Sequence, residues 1–250
     1  MRVALKFAYD GSKFYGYARQ PQLRTVEGEL IKGLIKNGII EDTNESRFRS
    51  ASRTDRGVSA ICNVVAFDSN YSKLSILEKL SDEFTDIIVY AIKNVNHDFN
   101  PRYAKHRQYR YNLKITNHDI GKIITVSSCF TGQHDFTNFA RVEEFRDPVR
   151  TIDNIIFNLQ NNFLIIDIYA QTFLWNQVRR VISALEKVGL GKLEEAQIFE
   201  ALNNPGKVFD FGVSPADSLI LKDIVYDFGF ETFKKGKTKL ANLENKLLSL

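Results

Sequence analysis

Two hydrophobic periods alternate through the first hundred residues, and their order constrains the fold more than any other feature of the chain. Val3, Leu5, Phe7 and Tyr9 alternate with Ala4, Lys6 and Ala8, the two-residue period of a strand. Asp10-Gly11-Ser12 signals a turn. Thr25 is placed to cap a helix over 26–37, with Leu30, Leu34 and Ile35 on one face and Gly38 as its stop. A strand at 46–52, a turn around Asp55 and a β-branched strand at 58–68 follow. Leu74, Leu77, Leu80 and Phe84 recur at helical spacing over 73–84, and IIVYAIKNV at 87–95 reads as a strand. The order strand–helix–strand–strand–helix–strand is the split βαβ, ferredoxin-like pattern. It predicts an α+β fold, an antiparallel sheet with helices packed on one face.

Asn100-Pro101 breaks this pattern and predicts a boundary, with an N-terminal ferredoxin-like subdomain over 1–100 and a C-terminal α+β subdomain over 101–250. In the second part 107–116 reads as a strand, 121–131 as a short helix, and the segment with HDF at 134–136 as a loop. Strands at 150–160 and 163–171 flank Asn161-Asn162, a hairpin signal. A helix at 175–188 has Val178, Val181, Ile182, Leu185 and Val188 on its inner face. A helix at 193–203, a strand at 219–226 and a basic C-terminal helix complete the reading.

Composition narrows the functional classes. The chain has 250 residues, 44% hydrophobic and 26% charged, which is the ordinary globular range. Net charge is +4, which permits a nucleic-acid partner without demanding one, since placement matters more than the sum. Cys62 and Cys129 are far apart and lack the spacing of a zinc ribbon or redox motif. His97, His106, His118 and His134 show no metal-ligand spacing, so a metal site is not expected, and the scarcity of His and Cys agrees with a protein that needs no organic cofactor. The N-terminus alternates where a signal peptide would run apolar, and FLIIDIYA at 163–170 is too short to span a bilayer. A cytoplasmic protein with no membrane partner is the expectation.

One acid stands out by its surroundings. Asp55 lies in a window, 47–56, that also carries Arg47, Arg49, Arg53 and Arg56. Asp-Arg-Gly is an ordinary turn between strands, and that reading suffices on composition alone. The alternative is a carboxylate kept ionised by neighbouring guanidinium groups, able to act as nucleophile or base. Elsewhere FNPRYAKHRQYRY at 99–111 interleaves Arg102, Lys105, Arg107 and Arg110 with Tyr103, Tyr109 and Tyr111. That is either an edge strand with core tyrosines or a surface that grips phosphates and stacks a base. On a strand, Tyr109 and Tyr111 share a face and Arg110 points away. Arg179 and Arg180 on the 175–188 helix lie ~100° apart and must meet different environments. Either both are solvated or one turns inward to an acid. The tail KKGKTK at 234–239 reads as a solvated basic face that could brush an RNA backbone.

Taken together, these stretches resemble tRNA pseudouridine synthases of the TruA type. SRTDRGVSA at 52–60 is similar to that family's R-T-D-x-G motif. YDGSKFYGYARQP at 9–21 and TVEGEL at 25–30 resemble its N-terminal signature, and QYRYNL at 108–113 its tyrosine strand. GQHDFTNF at 132–139, FLWNQVRR at 173–180 and PADSLILKDIVY at 215–226 resemble its H-D-F loop, arginine helix and closing strand. The matches follow family order across 10–226.

The resemblance implies two ferredoxin-like, RRM-like halves with a central RNA-binding cleft, and isomerisation of uridine to pseudouridine in tRNA. It assigns Asp55 as the catalytic aspartate, Tyr109 as the tyrosine that stacks on the target base, and Arg179 as the arginine that pairs with the aspartate. It implies that Arg53 helps to turn the nucleotide out, and Arg56, Arg107 and Arg110, as nearby cations, are expected to join it in substrate binding. A homodimer and a target near about positions 38–40 of the anticodon stem-loop are also implied. Ser52, Arg56, Ser59, Tyr17-Ala18 and Gln177 depart from residues common in relatives, and none of them removes a catalytic group. A non-catalytic RNA-binding module of RRM-like fold fits the basic–aromatic strands equally well.

Overall fold

The computed structural model describes residues 1–248, which divide into two compact units. The first holds Met1–Lys105 and, from Ile220, the rest of the described residues. Its strands are β1 (Arg2–Tyr9), β2 (Arg49–Ser50), β3 (Ser59–Asp68), β4 (Ile87–Asn94), β9 (Leu219–Val225) and β10 (Glu231–Thr232), and its helices α1 (Val26–Lys36), α2 (Lys73–Leu80) and α6 (Lys234–Leu248). The strands run in the order β10-β4-β1-β3-β9, with β2 paired to β3. All pairs are antiparallel except β3 with β9, which run parallel through Ser59↔Ile220 and Ala60↔Leu221.

The β1–β3 register sets Val3 opposite Phe67 and Leu5 opposite Val65, so one face carries a continuous buried apolar surface. Helix α1 is tied to that face by a buried polar chain. The Tyr17 ring packs 6.5 Å from Phe7, its hydroxyl donates to Ser50 (2.7 Å), and Ser50 donates to Glu27 of α1 (3.0 Å). Thr25 caps α1 by accepting from the Gly28 amide at 3.3 Å, and Gly38 ends the turn at φ +66°, a conformation that favours glycine.

Two expectations are corrected here. The 73–84 helix stops at Leu80, because Phe84 leaves it to lay its ring over Gly33, where a Cβ would sit 2.4 Å from that ring. The 46–52 strand shrinks to two residues, since Arg47 takes φ +47° and leaves the pleat.

Helix α6 covers the opposite face, so helices lie on both sides of this sheet. Gly236, Leu240 and Leu243 fall at i, i+4 and i+7, and the two leucines pack with Phe230 on Ala8, Tyr90 and Ala91. Gly236 approaches so closely that a Cβ would lie 2.6 Å from the Tyr90 Cα. The basic segment 234–239 is therefore solvated only in part: Lys235 and Lys239 both pair with Asp82, the latter at 3.0 Å. Beneath α6, Lys6 reaches Asp223 at 3.2 Å, and burial pushes the Cys62 thiol up to about 11.

The second unit, His106–Leu219, holds an antiparallel array β5-β8-β7-β6, made of β5 (His106–Lys114), β6 (Gly132–Asp135), β7 (Val149–Gln160) and β8 (Phe163–Ala170). The β7–β8 hairpin turns at Asn161, φ +53°, as its Asn-Asn pair predicts. Helices α3 (Ile120–Ser127), α4 (Gln177–Gly189) and α5 (Glu195–Asn203) belong to this unit. The predicted inner face of α4 is buried, and Gly189 admits Ile123 of α3 so closely that a Cβ would stand 2.6 Å from it. The 121–131 helix ends early, followed by a single 3₁₀ turn that drops Phe130 onto Phe139 at 4.9 Å. The segment carrying HDF is not wholly a loop, because its first residues form β6 against β7. Among the described residues no helix is long and apolar enough to cross a membrane.

Candidate active site

In the first unit, Asp55 sits on the loop from β2 to β3, and both flanks of the loop are fastened. The Tyr9 hydroxyl lies 2.8 Å from Thr54 Oγ1, and the Tyr17 amide donates to the Thr54 carbonyl at 3.1 Å. Asn63 donates to the Ser52 carbonyl at 2.9 Å. On the far side the Val58 amide donates to the Asp55 carbonyl (3.2 Å), closing a turn with Gly57 at φ +89°. The turn after β1 is pressed against the same loop. Gly11 donates its amide to Ser59 Oγ at 2.9 Å, and a Cβ on Gly11 would lie 2.2 Å from the Val58 carbonyl oxygen. The segment 9–21 is thus the bed on which the Asp55 loop rests, a role that its spacing alone does not announce.

Asp55 is half-buried, with exposed Arg53 and Arg56 on either side. Arg56 lies over the Tyr15 ring at 4.5 Å. The other two arginines of the window are committed elsewhere, which corrects the picture of four cations gathered on one acid. Arg47 binds Asp68 through Nε at 2.6 Å and Nη2 at 3.0 Å, and Arg49 donates to the Phe48 carbonyl at 3.0 Å.

In the second unit, Tyr109 lies on β5, nearly buried, with the Phe173 ring edge-on at 5.2 Å and 89°. Arg107 shares its face of the strand, is buried, and donates to the Gln171 carbonyl. Arg110 points the other way, as strand alternation requires, and forms a bidentate pair with Asp167 of β8. Arg179 and Arg180 meet different environments as their helical spacing demands. Arg179 donates through Nε to the Ser214 carbonyl (2.7 Å) and through Nη1 to Asn176 (3.3 Å), while Arg180 reaches Asp210 (3.3 Å). Asn176, at φ +61°, turns the chain sharply into α4. Among the described residues no group of three or more His, Cys, Asp and Glu is placed to hold a metal ion.

A fastened carboxylate between exposed cations, and a strand that sets tyrosine beside a second ring, suit an enzyme that handles a nucleic-acid base. Comparison with known proteins makes this specific. A family model described as tRNA pseudouridine synthase matches residues 127–227. The chain is 43% identical to tRNA pseudouridine synthase A of Thermococcus sibiricus over 100% of both chains. It is 44% identical to the protein of that name from Pyrococcus abyssi, over 91% of this chain and 85% of the other. The Methanobrevibacter smithii protein is 38% identical over 98% and 93%. Among solved structures, a Cbf5-Nop10-Gar1 complex overlaps with a TM-score of 0.38 at 12% identity, covering 74% of this chain and 44% of that one. The chain belongs to the tRNA pseudouridine synthase family. Relatives that carry this enzyme name match the chain over 90–100% of their own length, which favours a catalytic synthase over a non-catalytic RNA-binding module. The matched family model begins after Arg53, Asp55, Arg56 and Tyr109.

Proposed function

We propose that the protein converts uridine to pseudouridine in the anticodon stem-loop of tRNA, near about positions 38–40, with Asp55 as its catalytic carboxylate. A stacked base is out of reach of any side chain, so the target nucleotide is first extruded, at a cost of about a few kcal/mol. Stacking on Tyr109 returns about 1–3 kcal/mol of that cost. The bond from N1 to the sugar then breaks with the participation of Asp55, the uracil turns, and C5 bonds to the same sugar carbon. The hydrogen on C5 leaves as a proton and N1 gains one, so reactant and product have one composition and no redox partner is required.

Within this reading Arg179 is the arginine assigned to the catalytic aspartate, Arg53 helps to turn the nucleotide out, and Arg56 joins it in substrate binding. Arg107 and Arg110 are placed less freely. One is buried against a backbone carbonyl and the other is already paired with Asp167. Arg110 contributes to RNA binding only by sharing that carboxylate. A homodimer in the cytoplasm completes the proposal, since two copies would present a broader basic surface than one chain of net charge +4.

The observation that carries the reading is the loop itself: its main chain is fastened on both sides of Asp55 by hydrogen bonds, and the acid is offered between two exposed arginines. The test is to treat an unmodified tRNA transcript with the wild type and with Asp55→Asn, then map pseudouridines by carbodiimide reactivity. Tritium release from C5 gives the rate. The wild type should modify the anticodon stem-loop, and the variant should bind tRNA while turnover falls by more than about a thousandfold. Turnover that survives the substitution removes Asp55 from the chemistry.

A further inference from the structure

The loop 171–176 carries a second ring besides Phe173. Trp175 is the chain's single tryptophan, and 44% of it is exposed. The Arg141 guanidinium carbon lies over its indole, 4.1 Å from the ring centre. The contact is set by backbone pairing, in which the Arg141 amide donates to the Trp175 carbonyl at 2.8 Å. Other arginines of this unit meet oxygen acceptors: Arg110, Arg146 and Arg180 pair with the carboxylates of Asp167, Glu143 and Asp210, and Arg107 and Arg179 donate to backbone carbonyls. Arg141 is laid on an aromatic surface instead, and it stays exposed. Guanidinium and aromatic planes are the two platforms on which unpaired RNA bases stack, and here one of each is exposed and in contact with the other.

We infer that Arg141 and Trp175 form a stacking site for an unpaired base of the substrate RNA, next to the modified uridine. The inference rests on the proposed function and names a residue pair that the reaction itself does not require. Its position follows from the chain. Phe173, which packs on Tyr109, lies two residues before Trp175, so their Cα atoms are at most about 7 Å apart. A base on the indole and a uridine on Tyr109 therefore belong to neighbouring nucleotides of one strand. The guanidinium adds cation–π attraction and a positive charge toward the flanking phosphate.

The single tryptophan makes the test direct. Intrinsic fluorescence of the wild type is followed during titration with an unmodified tRNA transcript. A base stacked on the indole should quench emission along the binding curve. Trp175→Ala should raise KM for tRNA by about tenfold or more, with a smaller change in kcat. Trp175→Phe should recover most of the loss, and Arg141→Gln should weaken binding while leaving the melting temperature near that of wild type. Emission that stays constant while tRNA saturates the protein overturns the inference, whatever the variants do. In that case continued pseudouridine formation leaves the proposed function intact. Quenching by RNA from a wild type that makes no pseudouridine would keep the stacking site and overturn the function.

Discussion

Arg110 and Asp167 stand directly opposite each other on β5 and β8, with the guanidinium Nε and Nη2 at 2.9 and 2.7 Å from the two carboxylate oxygens. Both side chains are largely covered, and the acid holds the Arg110 pKa above its ordinary value through hydrogen bonding that outweighs the cost of burial. One arginine of the basic–aromatic strand is thus spent inside the protein.

Breaking that pair should cost stability more than RNA affinity. Arg110→Ala leaves Asp167 buried without its partner, a loss of about 2 kcal/mol by urea denaturation. The double variant Arg110→Leu, Asp167→Leu removes no net charge and should keep the salt dependence of tRNA binding unchanged. A slope reduced by about one would mean that the guanidinium leaves Asp167 for a phosphate.

Gly11 lies on another strand's turn, yet it controls the Asp55 loop. An added methyl would stand 2.2 Å from the Val58 carbonyl oxygen, and backbone must give way. Gly11→Ala should destabilise the fold by about 1–3 kcal/mol. It should also slow pseudouridine formation by more than about tenfold, because the displaced segment carries Asp55. Melting curves and single-turnover kinetics check the two effects; unchanged kinetics would mean that the loop absorbs the shift.

Lys246 of α6 reaches Asp10 at 2.6 Å, and Asp10 in turn accepts from the Ser12 amide and hydroxyl. Burial acts to raise the Asp10 pKa, but the ammonium and the Ser12 bonds together hold it below the ordinary 3.8. A lowered folded-state value stabilises the protein fully above pH about 4, and that contribution is lost as pH falls through the lowered value. Asp10→Asn should therefore flatten the acid limb of the stability curve in that window. In Lys246→Ala the Asp10 carboxyl should titrate at higher pH by NMR. Identical titration in the two proteins would rule out the contact in solution.

Tyr109 combines an edge-on contact with Phe173 and a hydroxyl. Tyr109→Phe should preserve the ring contact, worth about 0.5–1.5 kcal/mol, and the stacking surface, and lose whatever proton transfer the hydroxyl supports. Tyr109→Leu should lose both, binding tRNA more weakly and turning over more slowly than the Phe variant. Rates of tritium release order the three proteins, and a Leu variant as fast as wild type would take Tyr109 out of the site.

Local patterns were legible in the sequence where the cause was local. Thr25 and Gly38 bound α1 because capping and positive φ act over one turn, and Asn161 bends its hairpin for the same reason. Elements set by distant partners were not legible. Arg47 leaves its strand to reach Asp68, the parallel pairing of β9 with β3 joins residues far apart in sequence, and β6 is too short to show a period. The basic residues of 234–239 hid the stripe formed by Gly236, Leu240 and Leu243. At the site, Asp55 stood out by its charged neighbours, whereas Tyr9, Gly11 and Tyr17 act on it through space. Only their place in the family signature could have pointed to them.

The unit that holds Asp55 takes its strand β9 and its helix α6 from beyond residue 219. During synthesis, then, every residue of the unit carrying Tyr109 has been made up to Leu219 while its companion still lacks a strand and a cover. Until 220–243 emerge from the ribosome, Ala8, Tyr90 and Ala91 remain wet and β3 keeps an open edge. Translation that stalls in this interval would leave an adhesive, half-built sheet, so the order of manufacture makes the acid-bearing half the last to mature.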